Sequence, residues 1–132
     1  MSEMSERNSV LVAYSLYLLG AMTGGLTTLA GMILAMVRLE SARGTLFETH
    51  YRNLILVFWI WLAVIVVAGA MILTGVAGVA FSLFAVGPLG GLALIPAGFA
   101  LGLIGLGVLV TCVWYYWRLV RGLVLAVDDK PY

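Results

Sequence analysis

The side chains that could do chemistry in this chain are few and scattered. His50 is the sole histidine, and only Glu48 lies near it in sequence as a further ligand. Metal and haem sites need several His, Cys or carboxylate ligands at a defined spacing. The single cysteine, Cys112, lies in a long apolar run, where a thiol behaves as a small hydrophobe. We therefore predict neither a metal site nor a cofactor.

Catalytic motifs are also missing from the sequence. It contains no His-Glu-x-x-His and no phosphate-binding loop, and no paired carboxylates lie in its apolar half. Glu48 and His50 are two residues apart, so their side chains diverge on a helix. The sequence therefore predicts a protein that is not an enzyme.

Composition indicates the class of protein. Of 132 residues, 64% are hydrophobic and 10% are charged, against roughly 45–50% and about 25% in ordinary globular domains. No Asp, Glu, Lys or Arg occurs between Arg52 and Arg118, which is more apolar chain than a soluble core of this size buries. The formal net charge of +1 gives no basic field for nucleic acid. We predict an integral membrane protein that binds no nucleic acid.

The apolar runs predict an all-α, polytopic membrane helical bundle forming a single transmembrane domain over 1–132. Three transmembrane helices, at about 9–37, 53–73 and 92–117, are each long enough to cross about 30 Å of hydrocarbon. A polar loop, 38–52, joins the first two. The apolar connection 74–91 is broken by glycines and a proline, and is a helix extension, a re-entrant turn or an interfacial segment. Beyond 117 we predict a C-terminal interfacial helix, and four spans also fit by length.

Basic residues near the ends of spans predict the orientation. Loop 38–52 and the segment after 117 carry three basic residues each, whereas the leader has only Arg7 and connection 74–91 has none. Both basic segments should face the cytoplasm, with the N-terminus outside the cell inner membrane. The run from Val10 to Val37 is too long for a signal peptide and is predicted to be retained. Tyr14 and Tyr17 would then be interfacial anchors at the outer end of the first span.

Charged and polar residues of the two basic segments are predicted to contact membrane lipids or a partner: Arg38, Arg43, Glu48, His50, Arg52, Arg118 and Arg121. Glu48 and Arg52 are spaced i, i+4 and can pair along one helical face, while His50 points elsewhere. We expect His50→Ala to leave stability nearly unchanged and to weaken a partner or lipid interaction.

Small residues form stripes at spacings of four and seven, which allow close approach of helices: Gly20, Gly24 and Gly31 in the first span, and Gly98, Gly102 and Gly105 in the third. They predict helix packing within the chain, or alternatively within a homo-oligomer. Ser15, Thr23, Thr27 and Thr28 give the first span a mildly polar face. The alternative function is therefore a small homo-oligomeric channel or transporter lined by that face, although transported ions usually leave a charged residue inside the bilayer.

Several sequence blocks resemble a known family: Ala42-Arg-Gly-Thr45, Glu48-x-His50-Tyr-Arg52 followed by Phe58-Trp59, Tyr116-Trp-Arg-Leu-Val-Arg-Gly122, and Asp129-Lys-Pro-Tyr132. The family comprises small bacterial integral membrane proteins of unknown function, grouped with the Tic-type import component of the chloroplast inner envelope. The resemblance covers the first span, the loop and the C-terminal third. It implies an accessory, assembly or translocation-related subunit, whose partner is another membrane protein or a second copy, and its four-span relatives support the alternative topology.

Overall fold

The structure is a computed structural model that describes residues 3–132, with side chains from Ser5 onward. It divides into two compact units: unit 1 comprises Met1–Ile60 and Trp114–Tyr132, and unit 2 comprises Trp61–Val113. Four α-helices follow one another within the described residues: α1 Glu3–Leu18, α2 Leu26–Leu39, α3 Phe47–Val86 and α4 Leu94–Val127. Short 3-10 segments occupy Leu19–Ala21 and Gly87–Ala93. The all-α class is confirmed, and no strand occurs among residues 3–132.

The predicted first span is two helices rather than one. Gly24 has φ of +62° and Gly25 of +93°, a left-handed conformation that residues with a Cβ rarely adopt. The Gly25 N–H donates to the Gly20 carbonyl at 2.8 Å, which closes the end of the first helix. The prediction of a single helix over 9–37 is therefore wrong. Gly24, which was predicted to belong to a packing stripe, instead forms part of a turn.

Helix α2 runs back along α1. Beside the turn, Gly20 lies against Thr28, and further along Gly31 lies against the ring of Tyr17. At the far end, Glu6 Oε1 is 3.5 Å from Arg38 Nη1. The two helices are therefore antiparallel, and the start of α1 lies beside the end of α2. The structure therefore does not support the predicted orientation, in which a bilayer separates these two ends.

The core of unit 1 consists of residues that recur at helical spacing on each helix. The buried positions include Val10, Tyr14 and Tyr17 on α1, Thr28, Gly31 and Ala35 on α2, His50, Asn53, Leu54 and Val57 on α3, and Tyr115, Leu119, Gly122 and Ala126 on α4. Large rings meet glycines in this core: Tyr17 packs on Gly31, and Tyr14 packs on Gly122. The helices of unit 1 thus approach closely where a tyrosine ring of α1 packs on a glycine of α2 or α4.

Unit 2 contains α3 from 61 to 86, the 3-10 segment Gly87–Ala93, and α4 from 94 to 113. Gly87 has φ of +63°, and a Cβ on Gly90 would overlap the Ser82 backbone. Most of predicted connection 74–91 therefore extends α3, which is one of the three predicted arrangements, and the reversal occurs after Val86. Helix α4 then continues beyond Trp117 to Val127, where the sequence predicted an interfacial helix continuing from the third span.

One helical stretch among the described residues is long and apolar enough to cross a membrane. It runs from Phe47 to Val127, covers 81 residues and has a mean hydropathy of 2.8 in its most apolar window, of which only 11% is buried. A core helix of a soluble protein can match that length and hydropathy, but it is mostly buried. This stretch weakly suggests membrane association, while three separate spans remain a prediction.

Two glycines of α4 allow a matched test of helix packing. A Cβ at Gly122 would overlap the ring of Tyr14, whereas nothing lies within 4 Å of one at Gly102. Glycine to alanine raises helix propensity by up to about 1 kcal/mol at either position. We expect Gly102→Ala to be neutral or stabilising, and Gly122→Ala to lower the free energy of unfolding by about 1–3 kcal/mol. Thermal unfolding in mild detergent measures both, and equal effects would contradict the packing at Gly122.

Candidate functional site: a polar network around His50

A chain of hydrogen bonds links three helices of unit 1 to the segment 128–132. On α4, Arg118 Nε donates to Asn53 Oδ1, and Asn53 Nδ2 donates to the Tyr14 hydroxyl at 3.2 Å. The same hydroxyl is 3.2 Å from His50 Nδ1. His50 Nε2 lies 2.8 Å from the carbonyl of Lys130. The network therefore begins at a cation on α4 and ends on the backbone that follows that helix.

The chemistry of the two ends determines the direction of every bond in this network. A backbone carbonyl only accepts, so His50 Nε2 carries the proton shared with Lys130. In the neutral imidazole, Nδ1 is then an acceptor, and the Tyr14 hydroxyl donates to it. All donors consequently point from Arg118 towards Lys130, and a single neutral tautomer of His50 satisfies the network.

Aromatic rings and the chain after α4 enclose the imidazole. The Tyr132 ring lies 6.2 Å from that of His50, edge to face, and Arg118 Cζ lies 5.2 Å from the Tyr132 ring in a cation–π contact. The Tyr132 N–H donates to Thr49 Oγ1 at 3.0 Å. His50 is fully buried as a result. Burial lowers the pKa of its imidazole, an effect that the bond to Lys130 partly opposes.

A second polar cluster surrounds Glu6, near the start of α1. Its carboxylate accepts from Tyr51 Oη at 3.3 Å and Ser41 Oγ at 3.2 Å, and it pairs with Arg38. Burial, followed by the negative charge of Glu6, raises the pKa of Tyr51. The carboxylate thus connects the start of α1 to both α3 and the loop after α2.

The next residue, Arg7, links the start of α1 to the end of α4. Its Nη2 donates to the Val127 carbonyl at 2.9 Å, and its Nε lies 3.4 Å from Asp129 Oδ1. The leader, whose structural role the sequence did not reveal, is therefore an integral part of unit 1.

The residues predicted to contact lipid or a partner fall into two groups. Arg43, Arg52 and Arg121 are exposed, and the predicted pair of Arg52 with Glu48 is confirmed at 2.8 Å. The pKa of Glu48 is lowered, first by the backbone N–H of Gly44 and then by Arg52. In contrast, Arg38, His50 and Arg118 bond within the chain. His50 therefore has an internal role and is not available for the contact that its loop position predicted.

Sequence reasoning missed two members of the network, Tyr14 and Asn53, and also the buried position of Tyr17. Tyr14 and Tyr17, expected as anchors at the opposite interface, are fully buried, and Tyr17 Oη donates to the Leu54 carbonyl at 2.8 Å. Asn53, expected to open a span, lies at the centre of the network. Helical spacing could have revealed them. Val10, Tyr14 and Tyr17 share one face of a helix, and so do His50, Asn53 and Val57.

The predicted packing glycines have three different surroundings. Gly20 and Gly31 make close contacts, whereas Gly24 serves the turn. A Cβ added at Gly98, Gly102 or Gly105 would have no neighbouring atom within 4 Å. Gly98 instead lines an apolar cavity of about 420 Å³ within unit 2. The close helix contacts expected of the third-span glycines are therefore not present in this chain.

The hydroxyls proposed as a pore lining do not share one face. Thr23 Oγ1 and Thr27 Oγ1 bond to each other at 2.9 Å beside the turn, whereas Thr28 is buried against Gly20. Ser15 Oγ donates to the Leu11 carbonyl of its own helix. The hydroxyls of Ser15, Thr23 and Thr27 are thus engaged within α1, α2 and the turn between them, and Thr28 bonds to Tyr115 of α4.

Comparison of the chain with protein-family models, with curated proteins and with solved structures finds no match. The resemblance to the Tic-type family therefore stays a prediction. Within the described residues, no group of three or more His, Cys, Asp or Glu side chains could hold a metal ion.

Replacing His50 tests the network directly. His50→Ala leaves the Tyr14 hydroxyl and the Lys130 carbonyl without their partner, and each unsatisfied buried group costs about 1–3 kcal/mol. We now expect a marked loss of thermal stability in mild detergent, in contrast to the nearly unchanged stability that the sequence alone predicted. Arg52→Ala, two residues away and exposed, is the matched control and should have little effect. A thermally unchanged His50→Ala protein would contradict the network.

The depressed pKa of His50 also predicts a dependence of stability on pH. Because the folded pKa lies below the unfolded value of about 6.5, the unfolded chain takes up the proton first as the pH falls. The contribution of His50 is fully present above about pH 6.5 and declines as the pH falls through the folded pKa. Unfolding temperatures between about pH 8 and pH 5 measure this decline, and His50→Gln should remove it. An equal decline in His50→Gln would assign the effect to other groups.

Proposed function

We propose that this chain is a non-enzymatic accessory or assembly subunit of the cell inner membrane, held in the bilayer by unit 2. The observation that carries the proposal is the surface of unit 2, which has no charged residue and of which only Gly90 is buried. Large apolar side chains face outward there, including Leu73 at 75% exposed, Phe84 at 91% and Ile95 at 74%. Hydrocarbon solvates such a surface, and helices satisfy their own backbone polar groups within it.

The lengths of the helical segments in unit 2 support a hairpin that crosses the bilayer twice. Segment 61–86 would extend about 39 Å and segment 94–113 about 30 Å at 1.5 Å per residue, and hydrocarbon is about 30 Å thick. A slightly longer segment is accommodated by tilt. The reversal at Gly87–Ala93 would lie on the far side of the membrane.

The α1–α2 hairpin supports a different orientation of the N-terminus. Its apolar stretch from Val10 to Ala21 extends about 18 Å, which is too short to cross, so the hairpin enters the bilayer and returns. Its turn bonds internally, since the Met22, Thr23 and Gly25 N–H groups donate to carbonyls of Leu19 and Gly20, as backbone at membrane depth requires. Both chain ends and loop 38–52 would then share one face.

The distribution of basic residues favours a cytoplasmic location for that face. All seven Lys and Arg residues belong to unit 1, and positive charge concentrates on the cytoplasmic side. Arg43, Arg52 and Arg121 are exposed there to anionic lipid head groups or to a partner. An accessory role fits a chain whose buried polar groups Glu6, His50 and Asn53 bond internally and whose apolar surface is free to meet other membrane helices.

Cysteine labelling tests the topology. In a Cys112→Ala background, Asn8→Cys, Arg43→Cys and Asp128→Cys should react with a membrane-impermeant thiol reagent from the cytoplasmic side only. Leu89→Cys, at the reversal of unit 2, should react from the opposite side. Labelling of positions 8 and 43 from opposite faces would restore a crossing first helix and contradict the hairpin.

Purification in mild detergent tests the accessory role. We expect a membrane protein or a second copy of the chain to be retained in a fixed ratio, and Arg43→Gln/Arg121→Gln to lower its recovery without changing the unfolding temperature. Liposomes that contain the purified chain alone provide the opposing measurement. Selective conductance in those liposomes, without any retained partner, would establish the channel instead.

A further inference from the structure

We propose that His50 is a pH-sensitive latch whose neutral imidazole holds segment 128–132 over the polar network, and whose protonation at Nδ1 releases that segment. The latch belongs to unit 1 alone and does not depend on the membrane role proposed above. It follows from the direction of the hydrogen bonds, from the charges that surround the ring, and from what covers it.

The network has no arrangement that accommodates a second proton on His50. An imidazolium presents N–H groups at both ring positions, so Nδ1–H would point at the Tyr14 oxygen, which already accepts from Asn53 Nδ2. The Tyr14 O–H would then lose its acceptor inside the core. The bonds cannot reverse either, because the guanidinium of Arg118 only donates at one end and the Lys130 carbonyl only accepts at the other.

The groups that face the imidazole offer no negative charge to balance an imidazolium. Tyr14 of α1 and Asn53 of α3 are neutral. The segment after α4 contributes the Lys130 carbonyl and the Tyr132 ring, which are also neutral. Arg118 of α4, which lies against the Tyr132 ring, is a cation. The carboxylates on the His50 helix turn and on the covering segment pair with other cations: Glu48 with Arg52, Asp128 with Lys130, and Asp129 with Arg7. Among the described residues, no carboxylate forms an ion pair with His50.

Segment 128–132 is the element that can yield. Three helices are held around His50 by the buried side chains of unit 1. The segment is held over the ring by the Lys130 carbonyl, the Tyr132 N–H and the Tyr132 ring. Its remaining ties are the partly exposed Arg7–Asp129 pair, the Arg118–Tyr132 cation–π contact and backbone bonds to the last turn of α4. Opening this cover admits water to solvate the cation without unpacking a helix. Burial lowers the pKa of His50, so release occurs below the ordinary histidine value of about 6.5.

Because the chain has one histidine, imidazole nitrogen NMR on the wild-type protein in detergent micelles reports this group without ambiguity. We expect the Nε2–H tautomer at neutral pH. On acidification, the Tyr132 amide should lose hydrogen-exchange protection on the order of tenfold, after correction for intrinsic exchange, with the same midpoint as the His50 signals. An Nδ1–H tautomer, or protection that does not follow His50, would overturn the proposal.

Two tyrosine variants test the link through Nδ1. Tyr14→Phe removes the hydroxyl that donates to Nδ1, so the His50 midpoint should shift upward towards the ordinary value. Tyr17→Phe is the matched control, because it removes a buried hydroxyl that bonds to the Leu54 carbonyl instead, and its midpoint should match wild type. Circular dichroism checks that both variants remain helical. Equal midpoints in the two variants would overturn the proposed coupling.

Discussion

The arrangement of unit 1 depends on a glycine turn that places α1 and α2 side by side. Gly24 and Gly25 adopt left-handed backbone conformations there, and this reversal is what brings Glu6 to Arg38. A straight helix over the same residues would place that carboxylate and that guanidinium about 48 Å apart, taking 1.5 Å per residue. The internal ion pair at the start of α1 is therefore a consequence of glycine at the turn.

Polar burial in unit 1 is tolerated because partners are supplied by different helices. A buried polar group without a hydrogen bond costs about 1–3 kcal/mol in proteins, and this unit buries Glu6, His50 and Asn53 together with four tyrosines. The bonds of the network join separate parts of the chain, so no single helix can satisfy these groups alone. Unit 2 presents the opposite case, since its side chains are almost wholly apolar and its helices need no such partners.

Hydropathy predicted the helical class correctly but did not predict the hairpin or the buried polar network of unit 1. Uninterrupted apolar sequence predicted helix in the second and third spans, and i, i+4 spacing predicted the ion pair on α3. The hairpin could not be predicted in this way, because residues 10–37 remain apolar through Gly24 and Gly25, and glycine serves close packing and left-handed turns alike. Tyr14 and Tyr17 are amphipathic and serve equally at a membrane interface and in a bonded core. Assigning them to the core requires knowing which helices are neighbours, and that depends on the turn.

Packing and protonation in unit 1 depend on the same tyrosine. The Tyr14 ring lies where Gly122 has no side chain, and its hydroxyl both accepts from Asn53 and donates to His50. A ring displaced from Gly122 would withdraw the donor from Nδ1, even though Gly122 itself touches no titratable nitrogen. Glycine at position 122 therefore helps to keep the Tyr14 donor at Nδ1 and the His50 proton on Nε2. That proton in turn bonds the Lys130 carbonyl of the segment after α4.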